Sequence, residues 1–147
     1  MLRPGGTVAL ASHSKVGWVA DVTAAWKTDP DLPPFPTTQG LAGTFGKDLK
    51  WYDAAWIKET VAKAGFVDVE VKSSDLYHSE PDATETFKLL LPGTVGMIMN
   101  TLWTQRERDK YAEKAKAASV RFIEEKYGDG ELGWDWTALL TIAKKPA

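Results

Sequence analysis

A change in the spacing of apolar residues near the middle of the chain constrains the fold more than any other feature. From Asp53, a candidate N-cap, to Ala64 the apolar residues recur at helical spacing, and Gly65 follows as a residue suited to ending a helix. Val67 to Leu76 then alternates apolar and polar residues, which is the pattern of a strand with one wet face. A helix joined to a strand by so short a turn predicts an α/β fold.

Two further apolar segments predict strands near the two ends of the chain. Thr7 to Ser12 is β-branched and small apolar, follows the turn Pro4-Gly5-Gly6, and is typical of a strand buried on both faces. Asp135 to Lys144 is a second such stretch, flanked by charge. Between them, residues 29–36 include four prolines in eight positions, so we expect a stiff loop there.

Helical patterns fill most of the second half of the chain. Pro92 is expected to stop one helix, and the capping box of Thr104 and Glu107 is expected to start another, which Gly128 ends. Besides the helix after Asp53, the predicted helices are Trp18–Lys27, Ser79 to about Leu91, Thr94–Leu102 and Thr104–Tyr127.

Composition excludes several classes of function. The net charge of -2 gives no electrostatic reason to expect a nucleic acid or an anionic membrane as partner. The chain has no cysteine, which rules out a disulfide framework and a thiolate metal site. It shows neither a leader pattern nor an unbroken apolar span, so we expect a cytoplasmic protein.

Several motifs, taken in order, resemble the C-terminal half of class I S-adenosylmethionine-dependent methyltransferases. In that family a Leu-(Lys/Arg)-Pro-Gly-Gly turn, here Leu2-Arg3-Pro4-Gly5-Gly6, leads into the fifth strand, which would be Thr7–Ser12. The predicted helix Asp53 to Ala64, with Ala64-Gly65-Phe66 at its end, resembles the last crossover helix of the family. The resemblance then implies that Val67–Leu76 is the sixth strand and that Trp136–Lys144 is the seventh, paired antiparallel with its neighbours.

The same resemblance has a consequence for the cofactor. In this family S-adenosylmethionine lies against the N-terminal half, on a glycine-rich loop that follows the first strand. The only glycine-rich stretch here, residues 127–133, follows a predicted helix instead. The resemblance therefore implies a C-terminal portion that lacks the cofactor-binding half, in which no residue binds the cofactor and no metal is held. We expect such a chain to be inactive alone.

The resemblance also suggests how the chain is divided. We expect residues 1–147 to form a single domain, a partial Rossmann-like methyltransferase sheet of strands five, six and seven. Segments 13–51 and 79–133 are then inserted helices that form a substrate cover.

Seven tryptophans are an unusual load for 147 residues. Large rings serve both cores and flat organic ligands, and each ring taken singly is more typical of a core. Because several lie in the expected insertions, their number predicts an aromatic-lined pocket for a small organic molecule. The candidate substrate-binding residues are Trp18, Trp26, Phe35, Met97 and Trp103.

His13 is the one weak catalytic candidate. It follows the predicted fifth strand, at the edge where ligands collect in open α/β sheets, so it has the placement of a base or a substrate contact. A loop histidine without a role is the alternative. His78 follows the next strand, and two histidines so far apart, with no third ligand in the pattern, do not indicate a metal site.

The predicted first strand also raises the question of partners. Without strands one to four, the edge of Thr7–Ser12 would expose unpaired backbone groups. We therefore expect either a homodimer or a separate N-terminal half to pair there. The alternative function is a truncated methyltransferase-like protein that acts as a binding module, a partner subunit or a cofactor-free isomerase or cyclase.

Overall fold

A computed structural model describes residues 2–47, 49–80, 83–128 and 130–147, with side chains omitted for residues 80 and 83–87. The chain forms two compact units. The sheet unit comprises residues up to 16, 36–77 and from 135, and the helical unit comprises residues 17–35 and 78–134. The elements are β1 (Thr7–Lys15), α1 (Trp18–Lys27), α2 (Thr38–Phe45), α3 (Ala54–Lys63), β2 (Val67–Glu80), α4 (Ala83–Leu102), α5 (Gln105–Tyr127) and β3 (Leu132–Lys144).

The three predicted strands share one sheet in the order β1-β3-β2. β1 pairs antiparallel with β3 from Thr7 opposite Lys144 to His13 opposite Ala138, and a bulge separates His13 from Lys15. The mixed α/β fold and the antiparallel pairing of the last strand are therefore confirmed. Every strand extends further than predicted, because the backbone ladder continues through polar residues that break the apolar pattern.

Helix α3 covers one face of the sheet. Ile57 and Val61 on this helix pack with Leu139 and Ala143 of β3 to form the core of the sheet unit. The helix begins as predicted, because the Asp53 carboxylate accepts hydrogen bonds from the backbone N–H groups of residues 55 and 56 at 2.9 and 3.1 Å. It ends at Lys63, and Gly65 follows with a φ of 89°, which residues with a Cβ rarely adopt.

The Leu-Arg-Pro-Gly-Gly segment ties the start of β1 to the end of β3. Gly5 N–H donates to the Lys145 carbonyl at 3.1 Å, and Lys145 N–H donates to the Gly6 carbonyl at 2.8 Å. Gly5 adopts a φ of 72°, which explains a glycine at this point of the turn. The turn therefore sets the register in which β1 and β3 pair.

The other face of the sheet is exposed, which corrects the prediction that the first strand is buried on both faces. Ala9 lies opposite Ile142 and Ala11 opposite Leu140, and both alanines are exposed. Leu140 and Ile142 are 46% and 48% exposed. β1 therefore has one face that is only partly buried, where Val8 packs against the core, and one apolar face that is exposed.

Helix α4 corrects a second prediction, because one continuous helix from Ala83 to Leu102 replaces the two helices expected on either side of Pro92. The predicted opening of this region at Ser79-Glu80-Pro81 lies partly outside the described residues. An interior proline costs a helix roughly 3 kcal/mol. Burial of Leu91, Val95 and Met99 favours the continuous helix, since each is at most 1% exposed.

Helix α5 begins at the predicted capping box, with Thr104 as N-cap, and ends before Gly128. It packs against both α1 and α4, so it is the central helix of the helical unit. Its buried residues include Ala115, Ala118 and Ile123. None of the helices in the described ranges combines the length and the apolar character needed to cross a bilayer.

Candidate functional site

An aromatic cluster lies in the helical unit and joins α1, the proline-rich segment, the junction between α4 and α5, and α5. The ring of Trp26, on α1, has its centroid 4.9 Å from that of Phe35 and 5.1 Å from that of Trp103. Trp18 reaches Phe35 edge-on at 6.1 Å, and Tyr111 on α5 reaches Trp103 at 6.2 Å. Edge-to-face and tilted arrangements at these distances are those that aromatic quadrupoles favour. Four of the five candidate substrate-binding residues are thus brought together.

A groove of about 250 Å³ opens beside this cluster. The proline-rich segment after α1 folds back to make its wall, and Trp26 and Phe35 contribute their rings. We call this the aromatic groove. Its lining residues are Thr23, Trp26, Lys27, Asp29, Pro30, Leu32, Pro34 and Phe35.

Trp26 also belongs to the core. Its side chain is 2% exposed, and its indole N–H donates to the buried Ser119 hydroxyl of α5 at 3.0 Å. The same hydroxyl donates to the Ala115 carbonyl at 2.8 Å, so both polar groups are satisfied. Trp26 is therefore a fixed wall of the groove, held from behind by a hydrogen bond.

Charged side chains lie at the rim of the aromatic groove. The Asp29 carboxylate forms an ion pair with the Lys114 ammonium of α5 at 2.6 Å, and the Asp31 carboxylate lies 3.5 Å from the same ammonium. The hydrogen bond from Lys114 holds the pKa of the Asp29 carboxyl below its ordinary value. The pair links the proline-rich wall to α5, and Lys27 adds an exposed cation to the lining.

Met97, the fifth candidate substrate-binding residue, does not line the aromatic groove. Its side chain is 54% exposed, whereas Met99, two residues further along α4, is 1% exposed and belongs to the core. The apolar composition of α4 does not distinguish these two methionines, because α4 also exposes Leu89 and Leu90.

Sequence reasoning missed a buried carboxylate on α1 in the helical unit. Asp21 of α1 is 5% exposed and accepts hydrogen bonds from Lys126 Nζ at 2.6 Å, Tyr127 Oη at 2.7 Å and Trp134 Nε1 at 2.7 Å. With three donors satisfied, this carboxylate fixes α1 against the end of α5. Its position on the apolar side of α1, one residue before Val22, was the available signal.

His13 lies on the exposed face of the sheet, near the end of β1. Its imidazole ring packs edge-on against the Trp136 indole, with ring centroids 5.4 Å apart. Trp136 Nε1 is buried without a hydrogen-bond partner in the structure. Leaving such a donor unsatisfied costs roughly 1–3 kcal/mol. The structure does not bring His13 and the aromatic cluster into one unit.

The described residues do not fit S-adenosylmethionine as the resemblance describes its site. No described segment runs from a strand through a glycine-rich loop into a helix. The glycine-rich stretch follows α5 and precedes β3, with Asp129 outside the described residues. The β1 to α1 connection has Gly17 as its only glycine. Nor does any described group of three or more His, Asp or Glu residues have the arrangement to hold a metal ion.

Comparison with known proteins finds fungal relatives along almost the whole chain. Methyltransferase ktnA of Aspergillus niger is 30% identical over 99% of this chain and 47% of its own length. Methyltransferase tpcH of Aspergillus fumigatus is 26% identical over 99% of this chain and 51% of its own. The acetylaranotin bis-thiomethyltransferase of Aspergillus terreus is 26% identical over 99% of this chain and 52% of its own.

The chain spans about half the length of these curated relatives. No family model matches the sequence. The similarity nevertheless extends from the turn before β1 to the end of β3, and so covers every motif on which the sequence resemblance was based. The predicted resemblance to the C-terminal half of a methyltransferase is confirmed, since this chain is similar along 99% of its length to fungal proteins named methyltransferases.

Proposed function

We propose that this chain is the C-terminal portion of a small-molecule S-adenosylmethionine-dependent methyltransferase and that the aromatic groove binds the methyl acceptor. The observation that carries the proposal is the cluster of Trp26, Phe35 and Trp103 beside an open groove. Trp26 and Phe35 meet edge-to-face in fixed orientations and give the groove an apolar wall, which suits a planar or lipophilic molecule. The similarity to relatives named methyltransferases supports the proposal that this groove serves methyl transfer.

The topology of the sheet supports a proposed assignment of the three strands. β1, β2 and β3 correspond in this proposal to the fifth, sixth and seventh strands of the methyltransferase sheet. Two observations support it. β3 lies between the other two strands and is antiparallel to β1, and the helix that precedes β2 packs on the core face of β3.

We further propose that residues outside this sequence hold the cofactor. S-adenosylmethionine supplies the methyl group in the relatives' reaction class, and the described residues lack the strand, glycine-rich loop and helix that would hold it. The role of this chain is then to bind and orient the acceptor. Inserted segments corresponding to 13–51 and 79–133 supply the substrate cover in this proposal, within a single domain of 147 residues.

We propose that a partner chain pairs with the edge of β1. β1 lies at the edge of the described sheet, and Leu140 and Ile142 give the exposed sheet face an apolar character. Unpaired strand edges and apolar faces of this kind recruit another chain. We propose that either a second copy of this chain or an N-terminal half binds there. Light scattering after size-exclusion chromatography tests the first arrangement, and a monomer at micromolar concentration contradicts it.

Titration with a planar ring compound tests the acceptor site. 2-Naphthol is added to the chain, and its affinity is measured by calorimetry. Thr23→Phe places a ring in the aromatic groove, whereas Ala20→Phe adds the same ring at an exposed position of α1. We expect Thr23→Phe to weaken binding at least about tenfold and Ala20→Phe to leave it unchanged, since tenfold corresponds to 1.4 kcal/mol.

Two results would contradict this assignment of the groove. One is equal binding of 2-naphthol by both phenylalanine variants, provided that their unfolding temperatures match. The other is the absence of saturable binding by the unaltered chain at millimolar probe.

A further inference from the structure

We infer that Lys27 makes the aromatic groove selective for a planar aromatic ligand that carries an acidic group, a carboxylate or a phenolate. The inference rests on the proposed acceptor site and names the class of molecule that this site takes. Lys27 lies in the last turn of α1, next to Trp26, and its side chain is exposed at the groove. The polar groups of the lining that remain available to a ligand determine the class.

Most of the groove lining is apolar and does not distinguish one planar molecule from another. Leu32 and Phe35 are 8% and 6% exposed, and Pro30 and Pro34 have no backbone N–H to donate. Such a wall contributes affinity through the apolar area that a ligand buries, and this contribution has no direction. Selectivity for a polar group must therefore come from the polar side chains of the groove.

Three side chains of the lining can donate a hydrogen bond, and two of them already do so within the protein. The Thr23 hydroxyl donates to the Val19 carbonyl at 2.7 Å. Trp26 Nε1 donates to the Ser119 hydroxyl at 3.0 Å. The third is the Lys27 ammonium, which has no hydrogen-bond or ion-pair partner among the described residues. An acceptor group on a ligand therefore finds its side-chain donor at Lys27.

The carboxylate of the lining is occupied as well. Asp29 pairs with Lys114 at 2.6 Å and accepts a hydrogen bond from the Asp31 backbone N–H at 3.1 Å. The hydrogen bond from Lys114 and, more weakly, the charge of Arg121 lower the pKa of Asp29, so this carboxylate stays ionised and paired. A cationic ligand would have to displace Lys114 from it. An anionic ligand meets the unpaired ammonium of Lys27 instead.

Lys27 also has a structural role that needs no ligand. A cation in the last turn of a helix interacts favourably with the negative end of the helix dipole, and Lys27 occupies such a position in α1. That role affects the stability of the chain but does not distinguish an anionic ligand from a neutral one. The two roles are therefore separated by comparing ligands of different charge.

2-Naphthoate is the probe that we choose, with two compounds of the same ring system for comparison. 2-Naphthamide keeps the planar carbonyl group but is neutral, and 2-naphthylmethylammonium is a cation. Each is titrated into the chain by calorimetry at low ionic strength. We expect naphthoate to bind about two- to fivefold more tightly than naphthamide, as an exposed ion pair predicts, and the cation to bind most weakly. About 0.5 M NaCl should remove the preference, because salt screens exposed charges.

Lys27→Gln removes the charge and keeps a side chain of similar length. We expect this variant to bind naphthoate no more tightly than naphthamide, and Lys27→Arg to retain the preference of the unaltered chain. Lys58→Gln is the control, because it changes the net charge equally at an exposed position of α3, away from the groove lining. Thr23→Phe, which fills the groove, should weaken the binding of both compounds.

The inference is overturned if the unaltered chain binds naphthamide as tightly as naphthoate, or if Lys27→Gln retains the preference. In both cases saturable binding of naphthamide still supports the acceptor site, so the proposed function stands. Absence of saturable binding by both compounds at millimolar concentration overturns the acceptor site together with this inference. The comparison of the two compounds uses the unaltered chain, so it holds even where a variant fails to fold.

Discussion

Trp26 and Ser119 are joined by a buried hydrogen bond of 3.0 Å between residues 93 positions apart in the chain. The bond connects α1 to α5 behind the aromatic groove, and Ser119 is completely buried. It orients the indole ring that forms the groove wall. The stability of the helical unit and the shape of the proposed acceptor site therefore depend on the same contact.

Ser119→Ala should destabilise the chain by roughly 1–3 kcal/mol, because the Trp26 indole N–H is left buried without an acceptor. Urea unfolding measures the change. Ser73→Ala, at an exposed position of β2, is the control and should change the unfolding free energy by less than about 0.5 kcal/mol. Equal unfolding free energies for the two variants would show that the bond contributes nothing.

Asp21→Asn should cost about 2–3 kcal/mol, since a buried carboxylate that satisfies three donors is replaced by a neutral amide. Asp135→Asn provides the comparison, because Asp135 forms an exposed ion pair with Lys15, for which about 0–1 kcal/mol is expected. Urea unfolding at neutral pH distinguishes the two. A larger loss for Asp135→Asn would contradict the structural role of Asp21.

Stability should also fall at alkaline pH through the partners of Asp21. Burial alone would lower the pKa of Lys126, but its hydrogen bonds to Asp21 and Tyr127 outweigh burial and raise it above 10.5. Burial, together with Asp21, raises the pKa of Tyr127 above 10.0. Above about pH 10 the unfolded chain therefore binds fewer protons than the folded chain, and the unfolding free energy decreases as pH rises.

Unfolding measured from pH 8 to pH 11 checks this dependence, with Asp21→Asn showing a shallower alkaline decrease. An unfolding free energy that rises with pH in this range would have the wrong sign for both groups.

Pro92→Ala should stabilise α4 by roughly 1–3 kcal/mol, because alanine restores a backbone donor and removes the clash of the proline ring with the preceding turn. Thermal unfolding of the variant is the measurement. A lower unfolding temperature would mean that the helix is adapted to the proline and that the burial of Leu91 and Val95 depends on it.

Truncating two isoleucines compares the stability that side chains contribute on the covered and on the exposed face of the sheet. Ile57→Ala removes a side chain that is 0% exposed and should cost about 2–5 kcal/mol. Ile142→Ala truncates the same type of side chain at an exposed position and should cost the isolated chain less than about 1 kcal/mol. If Ile142→Ala costs as much as Ile57→Ala at a given protein concentration, a partner covers the exposed face under those conditions.

Local sequence signals predicted most element boundaries in the helices. The Asp53 N-cap, the Thr104 capping box and the Trp18–Lys27 helix are confirmed, because caps and apolar spacing act within one or two turns. The unpredicted helix α2 has three glycines in or directly after it, which hides its helical pattern. The prediction that Pro92 ends a helix was wrong, because tertiary burial of residues along α4 outweighs the local cost of the proline.

The candidate site was predicted unevenly for similar reasons. Aromatic content indicated Trp18, Trp26, Phe35 and Trp103, and these rings lie together in the edge-to-face and tilted contacts that aromatic pairs favour. Predicting the exposure of Met97 required knowledge of which side of α4 faces α5. The role of Asp21 depends on its hydrogen-bond partners, which three-dimensional packing alone determines.

Calorimetric titration of S-adenosylmethionine into this chain is the measurement that tests the central claim most directly. The claim is that these residues orient a methyl acceptor while the cofactor is held by residues beyond this sequence. We predict no saturable heat at cofactor concentrations up to about 1 mM, which corresponds to a binding free energy weaker than about -4 kcal/mol. Saturable binding with micromolar affinity would contradict it.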